Sequence, residues 1–160
     1  MFARATVLTT TMKQTQAMDI GEILGLHHIK IPVSDLPTSR AWYERVFELE
    51  PLKEFRDDED GVVRGVSYRS KRELSLALRE DPRAASGFAG FDPFAIMLRG
   101  RSDIEHWARR LDELGVAHSA ILEATIGYLM SFDDPDGLQL RFYTLDENGA
   151  DPEGRVRVER

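Results

Sequence analysis

The chain of 160 residues has no cysteine. That excludes disulfides, zinc–thiolate centres and cysteine nucleophiles. It also lacks any apolar run near the ~20 residues that a membrane helix needs. Basic residues are the minority charge, with 21 Lys and Arg against 28 Asp and Glu, so the formal net charge is -7. This argues against a general binder of nucleic acid or of anionic membrane. No Gly-rich phosphate loop, nucleophile elbow or Ser/His/Asp ordering is present. The expectation is a soluble, cytoplasmic protein. What remains is enough for one domain, since 42% of residues are hydrophobic and the length suits a single core.

The chain repeats itself about 65 residues apart. His28-Ile29-Lys30-Ile31-Pro32-Val33 is echoed by Pro93-Phe94-Ala95-Ile96-Met97-Leu98, and Trp42, Val46 and Leu49 fall on Trp107, Leu111 and Leu114. Such self-similarity marks duplicated supersecondary units, and two are too few for a solenoid. The apolar positions repeat while the polar ones do not. Function must therefore be read from the difference.

Each copy reads strand–helix–strand–strand–strand. Leu26 to Val33 alternates as a strand should, and Ser34-Asp35-Leu36-Pro37 starts a helix that runs to about Phe47. Strands follow around residues 50–56, from Gly61 to Ser70 and from Leu74 to Arg79. Residues 81–90 read as a linker. In the second copy, Phe91 to Leu98 is a strand. Ser102-Asp103-Ile104-Glu105 reads as a capping box, and Gly115 ends the helix. Val116 to Ile121, Ile126 to Phe132 and Leu138 to Tyr143 are the remaining strands, with Asp134-Pro135-Asp136-Gly137 as a tight turn. Residues 1–17 hold five threonines with Arg4 and Lys13, and no acid precedes Asp19. No signal-peptide core can be drawn there. Residues 1–22 read as a disordered extension and 147–160 as a mobile tail, around one domain at 23–146 with modules at 24–80 and 91–145.

Three motifs carry a resemblance. They are Leu26-His27-His28-Ile29 opening a strand, Val33-Ser34-Asp35-Leu36 before a helix with Trp42-Tyr43, and Phe132-Asp133-Asp134-Pro135-Asp136-Gly137 before the last strand. Over about residues 24–145 the chain resembles the vicinal oxygen chelate (VOC) superfamily, glyoxalase/bleomycin resistance/dioxygenase-like. The resemblance implies an α+β fold of two βαβββ modules forming a cupped, mixed eight-stranded sheet with helices outside. It also implies a divalent metal held by the first and last strands of each module. Those positions fall on His28, on Ser75 or Ala77, on Pro93 and on Arg141. Only His28 is a usual ligand, since Pro has no donor and Arg stays protonated. Glu73 and Asp92 lie one residue away, which on a strand is the opposite face. The expectation is no metal cofactor, with a divalent metal as the alternative.

Alternation then assigns the cup's lining: His28, Lys30, Ser75, Ala77 and Arg79 from module one, and Pro93, Ala95, Met97, Gln139, Arg141 and Tyr143 from module two. Tyr128 and Met130 join them, or Leu129 on the alternate face. Lys30, Ser75, Met97, Tyr128, Gln139, Arg141 and Tyr143 are the candidate ligand-binding residues, and His28 is the candidate general base. Apolar walls with two or three cations suit an aromatic or amphipathic anionic compound. Arg141 pairs either with such a ligand or with an internal acid. The leading expectation is a small-molecule-binding protein with a degenerate metal site, acting as a homodimer without nucleic-acid or membrane partners. The alternatives are an enzyme, using metal-free chemistry at His28 or a metal-dependent lyase, isomerase or dioxygenase reaction, and a regulatory module.

Overall fold

The alternation that begins at Leu26 becomes strand β1 (Ile29–Val33), with Ile31 and Val33 fully buried. The computed structural model describes residues 23–69, 74–124 and 127–146. The terminal segments, Glu73 and Ile126 lie outside the described residues. Asp35 caps helix α1 (Leu36–Phe47) by accepting from the Thr38 amide at 2.8 Å, which satisfies a donor that the helix leaves free. Module one continues as β2 (Glu50–Arg56), β3 (Val63–Arg69) and β4 (Ser75–Glu80). Its sheet runs β1-β4-β3-β2, with β1 and β4 parallel and the other pairs antiparallel.

The expected linker contains a helix, α2 (Pro82–Phe88), capped by Asp81 through the Ala84 amide. Asp followed by Pro is a helix-start signal; the small residues behind it concealed the helix. Module two is β5 (Ala95–Leu98), α3 (Arg101–Leu114), β6 (Leu122–Ala124), β7 (Gly127–Asp133) and β8 (Gln139–Thr144), in the order β5-β8-β7-β6. Two expectations need correction here. Helix α3 starts two residues early with Gly100 at its cap and no side-chain cap bond, so Ser102 lies inside it. The strand expected at Val116–Ile121 is a loop, and β6 follows it. There the Ser119 amide bonds the Ser131 carbonyl at 2.8 Å and the Ser131 amide bonds the Ser119 hydroxyl at 3.0 Å. A side chain thus replaces part of the ladder. Gly115 does end α3, at φ 68°.

The eight strands form two four-stranded sheets, each with helices on one face. The helix-side faces share a single core. Phe47 of α1 packs on Trp107, Phe132 and Phe142 of module two, with ring centroids 5.7 to 6.4 Å apart. Polar clasps fix the same junction. Gly137 closes the Asp134–Gly137 turn by donating to the Asp134 carbonyl, and Asp134 accepts the buried Tyr43 hydroxyl at 2.8 Å. Asp136 accepts the Ser34 amide and the Ser39 hydroxyl. From α3, Arg110 bonds the carbonyls of Val46 and Arg45 at the end of α1, where a cation complements the helix dipole. Among the described residues, no helix is long and apolar enough to cross a membrane.

Candidate functional site

Side chains alternate across each sheet, so core positions define the opposite, helix-free face. In module one, Leu76 and Leu78 are buried in the core, which turns Ser75, Ala77 and Arg79 to the open face. The strand register then lays out rows across the sheet. Phe55, Gly65, Arg79 and Pro32 stand side by side; next come Lys53, Ser67, Ala77 and Lys30; then Arg69 beside Ser75. Ser75 precedes Ala77 as His28 precedes Lys30, so the parallel register carries His28 to Ser75. The centre of this face consists of the smallest side chains, Gly65, Ser67, Ser75 and Ala77.

A pocket of about 720 Å³ lies over that centre. Leu52 and Phe55 wall one side, and His28 and Lys30 the other. Arg69 and Arg79 stand at its two ends, four residues apart along their strands, or about 13 Å. No acid lines it among the described residues, and Lys30, Arg69 and Arg79 form no ion pair among them. His27 and His28 share a hydrogen bond between their Nδ1 atoms at 2.8 Å. The mouth thus carries concentrated positive potential with nothing in the described lining to neutralise it.

Module two presents a different face. Ala95, Arg141 and Ser131 are register partners, as are Met97, Tyr143 and Leu129. Arg141 ion-pairs Asp92 at 2.6 Å and donates to Gln139 at 3.1 Å. Its Nε is buried without a partner among the described residues. The module-one pocket takes no residue from this face.

The candidate residues therefore separate. His28, Lys30 and Ser75 line the pocket. Met97, Gln139, Arg141 and Tyr143 lie on the other module. Tyr128 is on the helix side, packed against the core with the Arg101 guanidinium 4.8 Å from its ring centroid; the alternate-face residue Leu129 takes the open side. Met130 is core as well. Sequence reasoning missed Leu52, Phe55, Gly65, Ser67 and Arg69. Strand alternation in β3 could have supplied the last three. Leu52 sits at a register shift in β2, where no alternation rule applies.

The inferred metal positions fail on donor chemistry. Lys30 pairs with Ala77 as Ala95 pairs with Arg141, so the repeat makes Ala77 the counterpart of Arg141. The set is then His28, Ala77, Pro93 and an arginine already tied to Asp92. Asp92 spends its carboxylate on that pair, and His28 bonds His27. No three His, Asp or Glu side chains converge among the described residues. A divalent ion needs several oxygen or imidazole donors, and these residues do not fit one.

Burial shapes one further pair. Desolvation, helped by the Asp134 charge, holds the Tyr43 hydroxyl well above its ordinary range. Burial also raises Asp134, against the opposing effect of its hydrogen bonds. Both groups belong to the clasp and not to the pocket.

The profile of the Glyoxalase/Bleomycin resistance protein/Dioxygenase superfamily matches residues 25–142. The "Putative ring-cleaving dioxygenase MhqA" of Bacillus subtilis (strain 168) is 24% identical over 134 residues; the match covers 80% of this chain but 42% of that protein's length. The metallothiol transferase FosB of Bacillus licheniformis is 27% identical over 129 residues, covering 79% of each chain. A glyoxylase/bleomycin resistance protein/dioxygenase domain from Frankia sp. EAN1pec superposes with a TM-score of 0.61 at 21% identity, over 79% of this chain and 96% of that one.

Proposed function

This chain belongs to the Glyoxalase/Bleomycin resistance protein/Dioxygenase superfamily, and from that premise we propose that it binds an anionic aromatic or amphipathic small molecule without a catalytic metal. The observation that carries this reading is the module-one pocket, where Lys30, Arg69 and Arg79, which form no ion pair among the described residues, stand around apolar walls. An inward cation without an internal acid is best satisfied by a ligand's charge. The protein works in the cytoplasm as a homodimer. Support for the dimer is the uncovered face of module two, where Met97 is 68% exposed; a second copy is the commonest cover for such a face.

A thermal-shift and calorimetric screen of aromatic acids tests binding. A ligand at one hundred times its Kd raises stability by about 2.7 kcal/mol, which a melting curve resolves. Elemental analysis of protein purified without chelators tests the metal. Stoichiometric manganese, iron or zinc that disappears in His28→Ala would reject a metal-free site.

One observation favours an enzymatic second reading. His27 engages Nδ1 of His28 at the pocket wall. In the tautomer where His28 donates that bond, its other ring nitrogen is a general base. Product analysis of bound compounds, in wild type and His28→Asn, separates turnover from storage.

A further inference from the structure

We propose that Gly65 sets the shape of the ligand: the pocket takes a flat aromatic acid, its ring standing over Gly65 between Phe55 and Arg79. The inference rests on the binding role proposed above and narrows it. Phe55 and Arg79 both pair with Gly65, from β2 and from β4. They are two strand spacings apart, about 10 Å between backbones, and Gly65 puts no side chain between them. A β-carbon built at Gly65 would lie 3.6 Å from Phe55 Cβ and 3.6 Å from Arg79 Cδ. One methyl group would therefore bridge the slot at its base.

The backbone does not require glycine at this position. The φ of Gly65 is outside the left-handed region in which other glycines of this chain lie. Glycine weakens a strand interior and often marks a place where something approaches the backbone closely. Here the bare backbone is flanked by Phe55 and by the stem of Arg79. An aromatic ring is about 3.5 Å thick at van der Waals contact, so it can enter edge-on where a globular hydrocarbon cannot. Phe55 offers it a stacking partner. Arg79 offers a planar cation that both stacks and binds carboxylate. Lys30, one row along and also without an ion pair among the described residues, supplies a second charge for the acid group.

The test is calorimetry on the full chain with three probes: naphthoate, which is flat and anionic; adamantane carboxylate, which is anionic but globular; and naphthylmethanol, which is flat but neutral. Wild type should bind naphthoate about tenfold or more tighter than adamantane carboxylate. Gly65→Ala should erase that preference by weakening naphthoate alone. Its one tight contact is the Leu78 carbonyl at 3.2 Å, and a melting curve reports whether the fold is kept. Arg79→Met, at an exposed position, should weaken naphthoate about tenfold and leave naphthylmethanol within about twofold. Equal binding of the two acids by wild type overturns the shape inference while the binding role stands. Failure of every acid to bind overturns both. The wild-type comparison and Arg79→Met decide the matter even if Gly65→Ala fails to fold.

Discussion

Lys30 stands beside Ala77 on the open face of module one, and Ala95 stands beside Arg141 at the same place in module two. Each copy has one cation and one alanine there, on exchanged strands. What separates the modules is compensation. Arg141 is held by Asp92 at 2.6 Å, whereas Lys30, with Arg69 and Arg79 nearby, has no counter-charge among the described residues. Neutralised charge leaves little to recruit an anion; uncompensated charge over an apolar floor recruits one. The helix-side faces show the opposite behaviour. Val46 and Leu111 are both fully buried, as are Leu78 and Phe142, and all four belong to a single core. Duplication has kept the side that folds and released the side that binds.

The largest effect should come from cutting that common core. Phe132 is buried against Trp42, Phe47 and Phe142, from both modules. Phe132→Ala should cost about 3–5 kcal/mol through lost burial and a cavity. Urea unfolding should remain one transition, because the core is shared. Two separate transitions would show that the modules fold independently.

Next in size is the clasp. Asp134→Ala strands the Tyr43 hydroxyl and the Leu138 amide, at about 2–3 kcal/mol. Asp134→Asn should cost less, because an amide oxygen can hold the turn amides while its nitrogen donates to Tyr43. The pH dependence has a definite sign. Burial raises Asp134 above 3.8 in the folded state, so between 3.8 and that higher value the folded chain holds a proton the unfolded chain has lost. The contribution from Asp134 is therefore largest in acid and declines as pH rises through this window. The deficit of Asp134→Asn relative to wild type should shrink over the same window in denaturant titrations.

These clasps also show where sequence reasoning stopped. The βαβββ repeat was legible because Ile31, Val33, Leu140 and Phe142 alternate over short strands, and alternation reports burial directly. The turn at Asp134 was legible as a turn. Its carboxylates bind α1 some ninety residues away, at Tyr43 and Ser39, and no local pattern encodes a partner at that separation. The pocket was half legible for the same reason. His28, Lys30 and Ser75 followed from alternation, but Leu52 enters through a bulge. That the module-one pocket takes no described residue from module two's open face depends on how two sheets pack, which strand periodicity leaves undetermined.

The charge comparison can be broken with one carboxylate. Asp92→Ala should free Arg141 with a stability loss of about 1 kcal/mol or less, since both partners are partly exposed and such pairs contribute little. If compensation is what distinguishes the faces, module two should then gain a weak anion site. Calorimetry with naphthoate should show a second, weaker binding event per chain. An unchanged stoichiometry would place the difference in floor shape rather than in charge.

The smallest expected effect concerns how the two copies end their helices. Helix α3 stops at Gly115 with φ 68°, and α1 stops at Glu48 with φ 53° in the same left-handed region. Glycine occupies that region freely, while a residue with a β-carbon is strained there. Glu48 has a compensating contact, an ion pair to Arg110 at 3.1 Å, with the carboxylate side chain 56% exposed. An exposed pair of this kind is worth about 0.5 kcal/mol, and relief of left-handed strain about 1 kcal/mol. Strain should win narrowly. Glu48→Gly should stabilise the chain by about 0.5 kcal/mol in urea unfolding, and the gain should grow with added salt as the ion pair it gives up loses value in the wild type. A loss of stability that salt abolishes would mean that the Glu48–Arg110 pair, one of the contacts between module one and module two, matters more to the junction than the geometry of the helix end.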